Sequence, residues 1–476
     1  MNILYILCAV VIAQVSWLGS RPIPQKPVGK PVVIYKKVTQ PVVKKNSKIV
    51  SSPQTSGKSA KIYSKGVPRR PYQQSAEIAK IKNHALKTIA HEQPFTRNKT
   101  INLLDICHIN DSRMTQHTKG VHMWCVKVML EQQKTNTAHW QISVPGGYAI
   151  RTPQGIAARN ASKDAVIKFV CSGNTISING TKYQPNTTWI EPLSGQISWN
   201  NKTYPGSLGI ARWKETWCLI NQVPLEEYVA CVLRTESWPG WPIVVNRAFA
   251  IASRSYVLAQ ARQARKLGRP YHIRNTNAHQ TYSGFHDRQD LRQAVKDTQG
   301  QYLCYENEPI LAMFDCCCGG IIPAHIEDFN FNDAPYLART YPCNFCKSSK
   351  LYSWNIEYEI AHIESCIKQV HNNFSSFKDI KSIVKDKAGL VKHVTFNGKG
   401  KPVQVEGKKI YSLIDGIKSF HFSVKRNGKK IAFSGKGYGH HIGLCQWGAR
   451  EMVRQGWNHL QILNFYYPKT NLVKLT

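Results

Sequence analysis

One carboxylate in the sequence lies where it could act as a catalytic proton donor. The segment QVPLEEYVACVLRTESWPGWP begins a helix at Pro224, with acidic residues in the first turn. At about 100° per residue, Glu236 returns to within roughly 20° of Leu225, whereas Glu226 and Glu227 are predicted to face solvent. Glu236 is therefore aligned with the apolar stripe of this helix, which consists of Leu225, Tyr228, Val229, Val232 and Leu233.

The surroundings of Glu236 predict a carboxyl group with a raised pKa. Trp238 and Trp241 follow it closely, and burial among apolar groups disfavours the charged form. A general acid that works near neutral pH needs this property. The spacing leaves a structural alternative open, in which Glu236 pairs with Arg234 or Arg247 or caps the next helix.

A dense group of cysteines is the second feature of chemical interest. The sequence has 14 cysteines, and five of them form the run Cys316, Cys317 and Cys318 and the CxxC pair Cys343 and Cys346. The spacing fits a zinc site made of Cys316, Cys318, Cys343 and Cys346. In an exported protein, disulfides are the favoured interpretation. We therefore expect no cofactor, with zinc as the alternative.

The elements that must position these residues are strands followed by a mixture of strands and helices. Two Asn-Gly pairs, Asn179-Gly180 and Asn427-Gly428, predict hairpins with type I′ turns. The predicted fold class is α+β, a mixed β-rich body with several helices forming a groove, preceded by a disordered basic tail. Helices are predicted at 224–235, 243–266, 289–297 and 358–372.

The N-terminal part divides by composition. Residues 1–20 carry no charged side chain and include a short apolar run, which is typical of a signal peptide or an N-terminal anchor and predicts export to the periplasm or cell envelope. Residues 21–75 form a predicted disordered linker, because residues 21–70 contain 13 Lys/Arg, 7 Pro and no acid. The pattern over 76–141 defines no fold beyond a short amphipathic helix at 76–90, and the catalytic region is predicted at 142–476.

The charge of the chain indicates an anionic partner. The formal net charge is +36, and +23 of it lies outside the basic linker. Nucleic acid, an acidic membrane surface and an acidic wall polymer all fit this charge. The sequence contains no zinc-finger, RRM or helix-turn-helix signature and no phosphate-binding glycine motif. We therefore expect no nucleic-acid partner, and membrane contact only through the N-terminus.

Five segments in order resemble the SpoIID/LytB family over about residues 142–474. They are VPLEEYVACVLRTESW, RAFAIASRSYVLAQ, NAHQTYSG, PILAMFDCCCGG with a following APYL, and GKGYGHHIGLCQWGAREMVRQGWNHLQILNFYYPKT. The chain departs from the family pattern at Phe249, where glutamine is usual, and at His441, where glycine is usual. Some family members carry a His/Cys zinc loop before the third segment, but here that stretch has His272 and His279 and no cysteine.

The resemblance implies a lytic transglycosylase that cleaves peptidoglycan glycan strands between MurNAc and GlcNAc, often after their stem peptides have been removed. It implies that Glu236 is the catalytic acid/base. It also suggests six substrate-binding residues, without a catalytic metal: Arg254, Tyr256, Gln280, Tyr282, His440 and Gln446.

Two hypotheses follow for the function. In the first, the protein is an enzyme whose partner is the stripped glycan strand, a polyanion of lactyl carboxylates that matches the basic chain. In the second, it is a non-catalytic wall-binding factor that stimulates an amidase. The presence of Glu236 favours the enzyme.

Overall fold

The computed structural model describes residues 100–101, 124–276 and 279–475 of the 476-residue chain. The predicted signal peptide or anchor, the basic linker and the helix at 76–90 lie outside the described residues. Within the described part, no helix is both long and apolar enough to cross a membrane.

The described chain begins with a series of strands. In chain order they are β1 (Thr100–Ile101), β2 (Cys125–Gln133), β3 (Thr137–Pro145), β4 (Tyr148–Thr152), β5 (Gly155–Asn160), β6 (Asp164–Ser172), β7 (Thr175–Ile178), β8 (Thr181–Tyr183), β9 (Trp189–Pro192), β10 (Gln196–Trp199), β11 (Lys202–Pro205), β12 (Ser207–Trp213) and β13 (Thr216–Pro224).

Helices and short strands alternate after β13. The helices are α1 (Leu225–Glu236), α2 (Ile243–Lys266), α3 (Gln289–Asp297), α4 (Ile360–Lys368), α5 (Gly407–Leu413), α6 (Gln446–Arg454) and α7 (His459–Tyr466). The strands are β14 (Ile273–Arg274), β15 (Gln301–Tyr305), β16 (Glu308–Pro309), β17 (Phe314–Asp315), β18 (Ser353–Glu359), β19 (Asp379–Lys385), β20 (Val391–Asn397), β21 (Val403–Glu406), β22 (Phe422–Asn427), β23 (Lys430–Lys436), β24 (Leu444–Cys445) and β25 (Asn471–Leu475). Four 3₁₀ turns lie at Pro323–His325, Phe331–Asp333, Pro335–Leu337 and Phe345–Ser348.

Two large sheets share one apolar core. Seven strands run in the order β14-β2-β13-β12-β9-β4-β5, and six in the order β11-β10-β3-β6-β7-β8. Strand β6 alternates exposed and buried residues along its whole length, as expected for a strand with one face on a core. The core includes Trp140, Phe169, Ile197 and Trp217.

Smaller sheets complete the body. Their orders are β1-β25-β15-β16, β18-β23-β22, β19-β20-β21 and the parallel pair β17-β24. A second core, formed by residues such as Trp354, Phe396 and Phe433, lies between the two three-stranded sheets and helices α4 and α5. The predicted α+β class is therefore confirmed for the described residues.

Both predicted hairpins are present, but their turns differ. Asn179 (φ 48°) and Gly180 (φ 93°) both have positive φ, as a type I′ turn requires. In the second hairpin, Asn427 still pairs with Lys430, so the turn residues are Gly428 and Lys429. Only Gly428 has positive φ there, which is the type II′ arrangement, and the type I′ prediction was wrong at this turn.

A buried ion pair connects the helix that carries Glu236 to its neighbours. Arg254 of α2 is fully buried and binds the Glu226 carboxylate of α1 with two nitrogens, at 2.6 and 3.0 Å. Its Nη1 also donates to the Gln301 carbonyl at 2.7 Å. Because a buried guanidinium needs a counter-charge, this pair fixes α1, α2 and β15 together.

Glu226→Ala is expected to lower the free energy of unfolding by about 2–4 kcal/mol, because Arg254 would stay buried without its partner. The control is Glu227→Ala, since Glu227 is the next acid in the same helical turn and binds the partly exposed Arg292. Its loss should cost less than about 1 kcal/mol. Urea unfolding measures both variants. Equal losses would show that Arg254 does not depend on Glu226.

Candidate active site

A cleft of about 360 Å³ opens at the C-terminal end of α1. Its walls come from α1, α2, the segment between β14 and α3, the region of β17, and the loop that leads into α6. The lining residues are Glu236, Tyr256, His279, Gln280, Thr281, Met313, Phe314, Asp315, Cys316, Tyr438, His440 and Gln446.

Glu236 is half-buried at the end of α1 and faces this cleft. The Gln446 amide donates to its Oε2 at 3.1 Å, and the backbone N–H of Thr281 donates to the same carboxylate. Burial raises the pKa of Glu236 from its ordinary 4.5 to about 7, although these two hydrogen bonds favour the charged form. Near neutral pH this carboxyl group can therefore both give and take a proton.

The glycine-rich loop at 435–443, which contains four glycines, approaches β17 at backbone distance. A Cβ at Gly443 would lie 1.9 Å from the Met313 carbonyl oxygen, and one at Gly439 would lie 2.5 Å from the Asp315 Cβ. Both glycines also have positive φ, 77° and 131°, so other residues would be strained there. This close approach places Gln446, the first residue of α6, beside Glu236.

Gln280 and Tyr256, both predicted to bind substrate, line the cleft. The Gln280 Oε1 accepts from the Tyr228 hydroxyl at 2.9 Å, while its Nε2 is buried and has no hydrogen-bond partner among the described residues. Because buried amides normally find a partner, the Gln280 nitrogen is a donor available to a ligand. The Tyr256 ring packs edge-on against His279 at 6.4 Å.

Arg254 and Tyr282, the other two predicted binding residues of the central region, do not line the cleft. Arg254 is used in the ion pair with Glu226. Tyr282 is fully buried, stacks on Tyr228 and donates its hydroxyl to Asn221 at 2.7 Å. Both side chains hold structural elements together and are not among the residues that line the cleft, so their predicted contact with a ligand stays a prediction.

His440 lines the cleft as a neutral ring. Burial lowers its pKa to about 4. Its Nδ1 accepts from the Ile442 N–H at 3.1 Å, and the ring also bonds to the Phe314 backbone. Through these hydrogen bonds the His440 ring holds the glycine-rich loop against the segment of Phe314. The neighbouring His441, at the position where the family has glycine, adopts a φ of 69°.

Asp315 is a cleft residue that the sequence reasoning missed. It is buried, its Oδ2 accepts from the His441 N–H at 2.8 Å, and its Oδ1 has no partner among the described residues. Burial raises its pKa well above the ordinary value, which favours the neutral form of the carboxyl group. An isolated Asp at the end of the apolar run PILAMF was the available signal.

Aromatic side chains with basic neighbours lie at the cleft residue Tyr438 and next to Glu236 and Gln446 in the chain. Trp238 is 44% exposed and Tyr438 is 41% exposed, which is unusual for such large apolar groups. Lys418 lies 5.4 Å from the centre of the Tyr438 ring, and Arg450 lies 5.2 Å from that of Trp447, which packs against Trp238. Flat rings flanked by cations suit a ligand with apolar faces and negative charge.

The cysteine group has a different membership from the predicted one. Cys318, Cys343 and Cys346 come together, but the fourth thiol is Cys445 rather than Cys316. Cys316, which directly follows β17, instead lines the cleft. The choice between disulfides and metal stays a prediction.

Glu236→Gln is expected to raise the free energy of unfolding by about 1–3 kcal/mol near pH 8 and by little near pH 4. The folded pKa is raised, so the cost of the charged form appears as pH rises from 4.5 through about 7 and is complete above it. Urea unfolding at both pH values measures this. Glu215→Gln, at an exposed turn, should show no such difference, and a pH-independent effect at Glu236 would contradict the raised pKa.

Two family models match parts of this chain. The family model of the stage II sporulation protein SpoIID matches residues 214–305, which include Glu236, Tyr256 and Gln280. A second family model, a domain of unknown function (DUF8618), matches residues 334–443.

Several curated proteins are similar over about half of the chain. An uncharacterized protein of Brachyspira hyodysenteriae is 27% identical over 283 residues, 58% of this chain and 73% of the relative. Stage II sporulation protein D of Bacillus amyloliquefaciens is 27% identical over 263 residues, 52% and 74%. The amidase enhancer of Bacillus subtilis is 24% identical over 287 residues, 51% of this chain but only 39% of the relative. Together with the five ordered sequence segments and the SpoIID family model, these relatives confirm that the chain resembles the SpoIID/LytB family.

Proposed function

We propose that this protein cleaves peptidoglycan glycan strands between MurNAc and GlcNAc as a lytic transglycosylase, with Glu236 as its single acid/base. The observation that carries the proposal is the half-buried Glu236 carboxyl group in the cleft, with a pKa of about 7. The names of the relatives support a role in the cell wall.

The proposed reaction uses one carboxyl group twice. Neutral Glu236 first donates its proton to the glycosidic oxygen as the bond to the muramyl C1 breaks. The resulting carboxylate then accepts the proton of the muramyl C6 hydroxyl as that oxygen bonds to C1. The products are a 1,6-anhydro-muramyl end and a free GlcNAc hydroxyl, and Glu236 regains its proton. Because the nucleophile is part of the substrate, proximity replaces a second catalytic group.

The other carboxyl groups near Glu236 support this mechanism over hydrolysis. A hydrolase needs a second carboxylate to activate water or attack the sugar. Glu226 and Glu227 are held by Arg254 and Arg292, and neither lines the cleft. Asp315 does line it, but burial disfavours the charged form that a hydrolase would need there.

The substrate is proposed to be a strand stripped of its stem peptides. Each free lactyl carboxylate adds a negative charge, which suits Lys418 and Arg450 beside the cleft. An amidase that removes stem peptides would act before this protein. Such a substrate also requires export to the periplasm or cell envelope, for which the N-terminal sequence is the support.

The relative named amidase enhancer motivates a second candidate function. In it, the cleft binds the strand without cleaving it, and the bound protein stimulates an amidase. The two functions differ in whether Glu236 is needed for activity.

Glu236→Gln is expected to reduce cleavage of stripped strands by at least about 10²-fold, because the amide cannot transfer the proton. Strand binding should persist, since the variant keeps the shape and charge of the remaining cleft. Cleavage is measured by mass spectrometry of the products, which should end in 1,6-anhydro-muramic acid for the parent protein.

The control for this variant is Glu227→Gln, an acid of the same helix outside the cleft, which should cleave at close to the parent rate. Reducing ends from the parent would indicate hydrolysis and direct attention to Asp315. A parent that binds strands and stimulates an amidase, but cleaves nothing, would support the second function.

Gln446→Met is expected to move the alkaline limb of the pH–rate profile to higher pH. The parent kcat/KM should fall as pH rises through about 7, because the free enzyme must carry the proton on Glu236. The Gln446 amide stabilises the charged form, so its loss raises the pKa of Glu236. A lower rate with an unmoved limb would mean that Gln446 has a structural role only.

A further inference from the structure

Four cysteine thiols converge behind the wall of the cleft. Cys318, Cys343, Cys346 and Cys445 are buried, and their sulfur atoms all lie within 4.8 Å of one another. They come from three distant chain segments: the loop after β17, the 3₁₀ turn at 345–348, and the end of β24. This convergence is independent of the proposed cleavage reaction.

The distances match a tetrahedral metal site. With Zn–S bonds of about 2.3 Å, ideal tetrahedral geometry separates the sulfurs by about 3.8 Å. The Cys318 and Cys346 sulfurs are 3.8 Å apart. Two disulfides require short S–S distances only within each pair, whereas here all four sulfurs lie within 4.8 Å of one another. The spacing Cys343-x-x-Cys346, at the start of a 3₁₀ turn, also suits two ligands of one ion.

Hydrogen-bond donors surround the sulfurs. The Cys318 and Gly448 backbone N–H groups both approach the Cys445 sulfur at 3.3 Å, and the Tyr466 hydroxyl lies 3.1 Å from the Cys343 sulfur. Such donors stabilise thiolates and orient them as ligands.

A buried cation is a second, independent indication that the thiol cluster carries negative charge. Arg339 is 1% exposed, and none of the ion pairs between described residues includes it. Its guanidinium lies 5.8 Å from the centre of the Tyr466 ring, beside Cys343. Buried charges need compensation, and four thiolates around a divalent cation carry a net charge of about −2.

We propose that Cys318, Cys343, Cys346 and Cys445 bind one Zn²⁺ ion in a structural site that fixes the wall of the cleft. Four protein ligands leave no open position, which is the arrangement of a structural zinc site. Cys445 precedes Gln446, the residue that binds Glu236, so the ion fixes the start of α6. The thiol of Cys317 forms hydrogen bonds with Cys346 and Cys445, but Cys317 is not one of the four converging cysteines.

Metal analysis of the purified full chain tests the site directly. The parent is expected to contain about one zinc per chain. Cys346→Ser and Cys445→Ser should lose most of it, whereas Cys304→Ser, a change at a buried cysteine outside the set, should retain it. Each purified variant is checked for folding by circular dichroism.

Two measurements on the parent avoid the risk that a variant fails to fold. Exchange of zinc for Co²⁺ should give the thiolate-to-cobalt absorption of a tetrahedral four-sulfur site. Alkylation followed by peptide mapping should modify the four cysteines only after chelation. Disulfide-linked peptides joining them in metal-free native protein, or no bound metal with freely alkylated thiols, would overturn the site. Bound iron instead of zinc would overturn the choice of metal.

Discussion

The hydrogen bond between Gln446 and Glu236 joins two residues that are 210 positions apart. Glu236 ends a helix, and Gln446 begins another. The cleft exists because these two helix ends meet, and their meeting buries the carboxyl group. Burial raises the pKa of Glu236, while the hydrogen bond limits the rise to a value near neutrality. The proposed chemistry depends on this balance.

Two kinds of support hold these helix ends in place. On one side, Arg254 and Glu226 connect α1 to α2 and β15 by a buried, two-nitrogen contact. On the other side, the glycine-rich loop lies against β17 so closely that Gly443 admits no side chain, and the thiol cluster lies directly behind it. Many polar groups near the cleft therefore hold its walls in place.

Arg254 and Asp315 illustrate how burial changes the role of a charged residue. Arg254 matches a family motif and lies one helix away from Glu236, yet its guanidinium is fully buried against Glu226. No sequence pattern used above identified Asp315 as a site residue, yet it lines the cleft. A sequence motif records which residues are present, but burial and partners decide whether a charge meets solvent, another charge or a ligand.

The sequence by itself determined the local structure around Glu236 and showed the resemblance to the SpoIID/LytB family. Helical spacing aligned Glu236 with the apolar stripe of α1, and the predicted bounds of α2 and α3 agree with the structure, because short-range periodicity encodes these features. The second hairpin turn shows the limit of local signals, since the register of β22 and β23 moved the turn by one residue. Only the tertiary structure shows that Gln446 lies beside Glu236 and that Arg254 and Tyr282 do not line the cleft. It also shows that Cys445, and not Cys316, is the fourth member of the thiol cluster. These outcomes depend on contacts between residues far apart in the chain, which the packing of sheets, helices and loops decides and spacing along the sequence does not encode.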